Sequence, residues 1–153
     1  MYKRVFLDAN IIADIFDSSR VFHKSSVKAV EILAQNIDVE LFTSCDIVTT
    51  IYYILSKKGR DNALEYILNI NELCNIVEFG NQEILNSCLL MKSDKRFKDL
   101  EDTIQYIMAK KVDADLILSN DKEFVSTSIK LLSSSEFLEI KDSNEKSDIS
   151  RHI

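Results

Sequence analysis

The chain has 153 residues, 46% of them hydrophobic, and a formal net charge of −6, which predicts one domain with a buried core rather than a protein covered in basic surface for nucleic acid. No apolar run approaches the ~20 residues of a membrane span, so no membrane partner is expected. Three cysteines without metal-ligand spacing and a start without a signal peptide predict a cytoplasmic protein.

Apolar, strand-like runs alternate with helical patterns along the chain. The strand-like runs cover residues 4–7, 39–43, 76–79, 115–118 and 129–132, and helical patterns cover 11–16, 27–33, 47–58, 60–73 and 81–91. This alternation predicts an α/β fold with a parallel sheet and helices on both faces. The apolar period is lost after residue 140, so we expect one domain over residues 1–140 and a polar, disordered tail over 141–153.

Carboxylates follow two of the predicted strands. Asp8 comes directly after Val5-Phe6-Leu7, and Asp121 follows Leu116-Ile117-Leu118 after Ser119 and Asn120. In an open parallel sheet, ligands bind beyond the carboxyl ends of the strands. Carboxylates gathered there repel one another unless a cation neutralises them. The pattern therefore predicts a divalent-metal site and chemistry on phosphate.

Each of these side chains also has a purely structural interpretation. Asp8 is a suitable N-cap for the helix that follows, and Asn10 is either the cap itself or a neutral oxygen that orients a metal-bound water. Asp14 is expected to face solvent. Ser119 and Asp121 are ordinary turn residues.

An acidic segment, Asp99-Leu100-Glu101-Asp102, opens a further amphipathic stretch. Asp99 as N-cap with Asp102 in the first turn would be a normal helix start, but three acids in four residues exceed what capping needs. Apolar residues downstream would anchor this helix and hold Asp102 on a rigid element.

Basic residues form two local groups, which are interpreted either as solvated helix ends or as contacts to phosphate. The members are Lys57, Lys58 and Arg60 in the first group, and Lys92, Lys95, Arg96 and Lys98 in the second. The phosphate interpretation is stronger for the second group because it immediately precedes the acidic segment.

Together these motifs resemble the PIN domain, a metal-dependent nuclease fold found in many toxins of bacterial toxin–antitoxin pairs. The resemblance rests on Phe6-Leu7-Asp8-Ala9-Asn10, Thr43-Ser44 with Ile51-Tyr52-Tyr53-Ile54-Leu55, Asp99 to Tyr106, and Asp113 to Phe124. It implies a parallel sheet in the order 3-2-1-4-5 and an endoribonuclease that cuts single-stranded RNA with Mg²⁺ or Mn²⁺. It also implies a homodimer and an antitoxin partner.

The resemblance assigns the site residue by residue. It implies catalytic carboxylates at Asp8, Asp102, Asp121 and Asp99, with the first three as metal ligands, and supporting roles for Asn10, Thr50, Glu101 and Ser119. Thr50 departs from the family pattern, because many members carry a glutamate at that position. A threonine brings no charge, and Asp46, one helical turn earlier, either compensates or caps the helix.

Three alternatives stay open at this stage. A haloacid-dehalogenase-like phosphohydrolase would need a second aspartate where Asn10 stands, and a receiver domain would need a phospho-acceptor after the third strand. The third alternative is a catalytically degenerate PIN domain that acts as an RNA- or protein-binding module, which the threonine at position 50 makes credible.

Overall fold

The computed structural model describes the chain from Tyr2 to Arg151 and contains one five-stranded sheet in the order β3-β2-β1-β4-β5. The strands are β1 (Arg4–Leu7), β2 (Glu40–Ser44), β3 (Asn75–Val77), β4 (Leu116–Leu118) and β5 (Lys130–Leu132). All four pairings between neighbouring strands are parallel. The predicted fold class and strand order are confirmed.

Helices connect the strands and cover the sheet. They are α1 (Ala9–Phe16), α2 (His23–Ala34), α3 (Cys45–Ser56), α4 (Arg60–Leu73), α5 (Asn81–Ser93), α6 (Leu100–Lys111) and α7 (Ser134–Arg151). Within residues 2–151, none of these helices combines the length and apolar character that crossing a membrane requires.

The alternation of side chains along the strands builds two separate cores. Val5 and Leu7 of β1 pack into a core with buried residues of α1–α4 and α7. Phe6, between them, points to the opposite face and packs with α6, with α5 side chains at the edge of that core. Because successive residues of a strand face opposite sides, short apolar strands such as β1 are buried on both faces.

A glycine allows the tight connection between α3 and α4. Gly59 lies between Ser56 and Arg60 with a backbone φ of 145°, a conformation that residues with a Cβ rarely adopt. The sequence predicts a helix end at this glycine, and the structure places one there.

The structure contains a C-terminal helix that the sequence patterns do not indicate. Helix α7 (Ser134–Arg151) continues through most of the segment for which we expect a disordered tail. Its first part is anchored by Phe137, which is buried in the core. The division into a domain and a tail near residue 140 stays a prediction, and His152 and Ile153 lie outside the described residues.

Candidate active site

The candidate site lies beyond the ends of β1 and β4, the two neighbouring strands from which the chain continues toward opposite edges of the sheet. Strands β1 and β4 are neighbours, with Leu7 in register with Leu118, and the Asp8 N–H donates to the Leu118 carbonyl at 3.1 Å. From β1 the chain continues to β2 on one side, whereas β4 and β5 lie on the other. Such a switch point opens a crevice beyond the strand ends.

That crevice is a cavity of about 450 Å³, which we call the carboxylate cavity. It is lined by Asp8, Ala9, Asn10, Asp99, Glu101, Asp102, Gln105, Asp121 and Glu123. The structure thus brings together the four carboxylates that were predicted to be catalytic. They come from three separate parts of the chain: the end of β1, the start of α6, and the loop after β4.

Asp8 is the buried member of the group, with 2% of its surface exposed. Its Oδ1 accepts the Ala9 N–H at 2.7 Å, and its Oδ2 accepts the Ser119 hydroxyl at 2.6 Å and the Asn10 side-chain amide. Burial raises the pKa of Asp8 to about 6, and the nearby Asp121 charge adds to the rise, while the three hydrogen bonds oppose it. Asp8 therefore both caps α1 and presents a costly buried charge to the cavity.

Asp102 has a different environment, because no hydrogen-bond donor among the described residues contacts its carboxylate. It lies in the first turn of α6 and is half-buried. Burial raises the pKa of Asp102 to about 7, with further contributions from the charges of Asp8, Asp99, Asp121 and Glu101. An unpartnered carboxylate surrounded by like charges is a site that a cation would stabilise.

Asp99 has the capping role that the sequence allows. Its Oδ1 accepts the Asp102 N–H at 3.0 Å, so it fixes the first turn of α6 on which Asp102 lies. Burial raises the pKa of Glu101, and the charges of Asp46 and Asp99 add to the rise. Asp46, at the start of α3, therefore contributes negative charge at this end of the cavity.

Thr50 is not brought into the carboxylate cavity. It is exposed, and its hydroxyl donates to the Asp46 carbonyl at 3.4 Å within α3. Among the described residues, Thr50 makes no side-chain contact with the carboxylate cavity that would favour the predicted supporting role. The charge missing at this position lies one turn earlier, at Asp46.

The loop after β4 holds Asp121 at the rim. Asp121 is exposed, its Oδ1 accepts the Glu123 N–H at 2.8 Å, and its own N–H donates to Ser119 Oγ at 3.1 Å. Ser119 thus contacts both Asp8 and the backbone of Asp121. This supports the predicted supporting position of Ser119, while its effect on catalysis stays a prediction.

Behind the cavity lies a buried polar network. Asp14 is 1% exposed, so the expectation that it faces solvent is wrong. Its carboxylate accepts Arg20 Nε at 2.6 Å, the Ser26 hydroxyl at 3.0 Å and Asn120 Nδ2 at 2.8 Å. These donors offset the cost of burying the charge. Ser26 comes from α2 and Asn120 from the loop after β4, and the sequence pattern around Asp14 does not reveal either of them.

Asn120 connects this network to the site. Its side-chain oxygen accepts the Ser134 N–H at 2.9 Å, and its own N–H donates to Asn10 Oδ1 at 2.9 Å. Asn10 in turn contacts Asp8. The loop that carries Asp121 is therefore tied to α1, α2 and α7 through one asparagine.

Gln105 is a site residue that the sequence pattern does not single out. It is 1% exposed, lines the carboxylate cavity, and its Oε1 accepts the Ala9 N–H at 3.3 Å. A signal was present, because Gln105 lies three residues after Asp102 and shares a helix face with it. A buried polar residue on that face points to the site.

The donor set fits a hard divalent cation. Carboxylate and amide oxygens are the ligands that Mg²⁺ and Mn²⁺ prefer. Among the side chains of residues 2–143, no three Asp, Glu, His or Cys groups already lie close enough together to hold an ion. Since Mg²⁺ commonly takes only one or two carboxylates together with waters and substrate phosphate, a closed set of protein ligands is not required. The cofactor itself stays a prediction.

Comparison with known proteins agrees with this geometry. The family model described as PIN domain matches residues 5–130. The chain is 49% identical over 137 residues to Ribonuclease VapC1 from Aquifex aeolicus (strain VF5), an alignment that covers 90% of this chain and 94% of that protein.

Solved structures with the same fold include two more distant proteins. VapBC2 from Rickettsia felis, bound to a DNA fragment from its promoter, gives a TM-score of 0.66 at 16% identity and covers 85% of this chain and 98% of its own. Mycobacterium tuberculosis VapC20, a sarcin–ricin loop cleaving toxin, gives 0.63 at 13% identity, with coverages of 78% and 92%. At these identities the likeness shows the fold alone.

Proposed function

The chain belongs to the PIN-domain family, and on that premise we propose that it is a divalent-metal-dependent endoribonuclease that cuts single-stranded RNA as the toxin of a toxin–antitoxin pair. The observation that carries the proposal is the convergence of Asp8, Asp102 and Asp121 on one cavity at the sheet's switch point. The name of the 49% identical relative, a ribonuclease, supports RNA as the substrate.

Asp8 and Asp121 would hold the cation directly, and Asp102 would be either a third ligand or the group that orients the metal-bound water. Asp8 Oδ1 accepts one hydrogen bond, whereas Oδ2 accepts two, so Oδ1 is the oxygen with more capacity for a ligand. Asp102 and Asp121 supply the other carboxylates, and Asn10 and Ser119 hold Asp8 in one orientation. When bound, Mg²⁺ or Mn²⁺ would lower the pKa of the attacking water and neutralise charge that builds on the phosphoryl group.

Side chains of the cavity would accept the proton of the attacking water and hold the reacting groups in position. Asp102 has no donor on its carboxylate among the described residues, so its oxygens can accept a hydrogen bond or a proton from the attacking water. Asp99 acts on Asp102 by fixing the first turn of α6. Thr50 carries no charge, but Glu101 and Asp46 supply negative charge near the cavity. The carboxylates would therefore still repel one another without a bound cation, even though Thr50 replaces a glutamate.

Partners and location follow from the same premise. Structural neighbours of the chain include VapBC proteins from Rickettsia felis and Haemophilus influenzae, which supports an antitoxin as partner. We further propose a homodimer, as the family resemblance implies, and a cytoplasmic location, which the three free cysteines favour.

RNA cleavage tests this function. We expect the purified protein to cut single-stranded RNA with Mg²⁺ or Mn²⁺, to lose activity in a chelator, and to lose it with Asp8→Asn. The matched control is Asp38→Asn, because Asp38 is exposed before β2, at the opposite end of the sheet. Binding of RNA without cleavage in any metal would favour the degenerate binding module instead, and full activity in Asp8→Asn would refute the assigned site.

A further inference from the structure

A second cavity adjoins the carboxylate cavity. It has a volume of about 520 Å³ and lies between residues 94–98, before α6, and residues 122–125, after β4. Asp99, Asp102 and Glu123 line both cavities, so the second begins where the first ends. We call it the lysine groove.

Three lysines of this groove carry charges that no neighbouring carboxylate neutralises among the described residues. Lys95 and Lys98 lie on one wall and Lys122 on the other, all exposed. None of these three lysine side chains makes a hydrogen bond or ion pair with the side chains described for residues 2–143. Arg96, in contrast, is neutralised by Asp94 through Nε at 3.0 Å and a terminal nitrogen at 2.6 Å.

Several lysines elsewhere in the chain are engaged. Lys58 pairs with Asp17 at 3.0 Å, Lys111 pairs with Glu83 at 3.1 Å, and Lys57 lies over the ring of Tyr53. In a chain of net charge −6, a polyanion that approaches a cluster of carboxylates is repelled unless cations line its path. Lys95, Lys98 and Lys122 lie beside the carboxylate cavity and are available to contact such a polyanion.

The floor of the groove is apolar and held in place. Phe97 and Phe124 are each 4% exposed, and Val125 is half-buried beside them. Phe97 packs against Tyr106 of α6 with ring centroids 5.2 Å apart, and the Tyr106 hydroxyl bonds to Thr127 at 2.9 Å and Ser128 at 2.7 Å. Tyr106 therefore ties the two walls of the groove together.

We propose that the lysine groove holds the RNA nucleotide next to the cleaved phosphodiester, with Lys95, Lys98 and Lys122 contacting phosphate oxygens and the apolar floor lying under the sugar and base. The proposal rests on the proposed function and adds to it the path of the substrate strand. The volume falls within the ~300–1,000 Å³ of small-molecule sites, which suits a single nucleotide. Contacts to phosphate position a strand and carry no sequence information, so the groove would serve many RNA sequences.

The test compares two triple variants with the same change in net charge. One carries Lys95→Ala, Lys98→Ala and Lys122→Ala. The control carries Lys3→Ala, Lys24→Ala and Lys28→Ala, three exposed lysines that line neither cavity. Binding of a randomised single-stranded RNA oligonucleotide is measured in a chelator, so that no cleavage occurs, over a series of salt concentrations.

The groove variant should bind RNA more weakly than the control variant. The slope of log affinity against log salt should also become less negative. For a single strand the expected change is about 0.7 for each phosphate that a lysine no longer neutralises, or about 2 for three lysines. Equal affinities and slopes for the groove variant, the control variant and the unmodified protein would overturn the proposal. So would equal reductions of affinity in both variants, because overall charge alone would then explain them.

Cleavage measured alongside separates the two proposals. If the unmodified protein cuts RNA but the groove variant binds RNA normally, only the groove is refuted. If no metal supports cleavage but the groove variant still binds RNA more weakly than the control variant, the nuclease assignment fails and the RNA-binding groove stands.

Discussion

The buried Asp8 carboxylate should make the protein less stable as pH rises, and replacing it with asparagine should remove that dependence. The folded-state pKa of Asp8 is raised from 3.8 to about 6, so the folded chain holds this proton more tightly than the unfolded chain does. The stability that protonated Asp8 provides is complete below about pH 4 and is lost as pH rises through about 6.

The size of the effect follows from the shift. A rise of about two pKa units corresponds to about 3 kcal/mol of unfolding free energy, and Asp8 is almost fully buried, so solvent screening reduces it little. An asparagine side chain in place of Asp8 would lack this titration. It would also replace the carboxylate that accepts the Asn10 amide, at a cost of about 1–3 kcal/mol that does not depend on pH.

The assay is urea unfolding in a chelator from about pH 4 to about pH 8. We expect the stability difference between the unmodified protein and Asp8→Asn to change by about 3 kcal/mol across this range, in favour of the variant at high pH. Asp38→Asn should run parallel to the unmodified protein. If Asp8→Asn also runs parallel to it, the buried Asp8 carboxylate does not carry a costly charge, and the reasoning is wrong.

Two further substitutions test how the site is held. Asn120→Ala should lower the unfolding free energy by about 1–3 kcal/mol, because it removes hydrogen bonds to Asp14 and Ser134. Thermal unfolding measures this decrease, and the control Asn69→Ala, at an exposed position, should not show it. Equal stability of the two variants would mean that the hydrogen bonds of Asn120 do not stabilise the fold. Asp99→Ala should cost about 1 kcal/mol of stability through removal of the cap and should also reduce RNA cleavage, while Asp99→Ser should restore both. Recovery of stability without recovery of cleavage would instead give the Asp99 charge a direct role in the reaction.

Much of the architecture could be predicted from the sequence because the strands are short, apolar and separated by helical patterns. Parallel strands end at one edge of a sheet, so Asp8 and the residues after Leu118 had to lie together once the strand order was known. Asp102 could be placed because it shares a helix with buried residues such as Ile104 and Met108.

The rest depends on contacts that no local pattern encodes. The burial of Asp14 requires donors from α2 and from the loop after β4, and its four-residue spacing from Asn10 gave no hint of them. The proximity of Asp46 to Glu101 brings together the start of α3 and the start of α6, which lie far apart in the chain. The length of α7 is likewise invisible to hydrophobic periodicity, since its last part has no apolar face in the sequence.

Binding of a divalent cation in the carboxylate cavity can be measured directly by calorimetric titration of Mn²⁺ into the unmodified protein and into Asp102→Asn. We expect a saturable site in the unmodified protein and in Asp38→Asn, and none in Asp102→Asn. Because the pKa of Asp102 lies at about 7, binding at about pH 6 should release protons, and the release should fade above about pH 8. If the unmodified protein shows no saturable site, or if Asp102→Asn binds Mn²⁺ unchanged, the carboxylate cavity does not hold the cation as proposed.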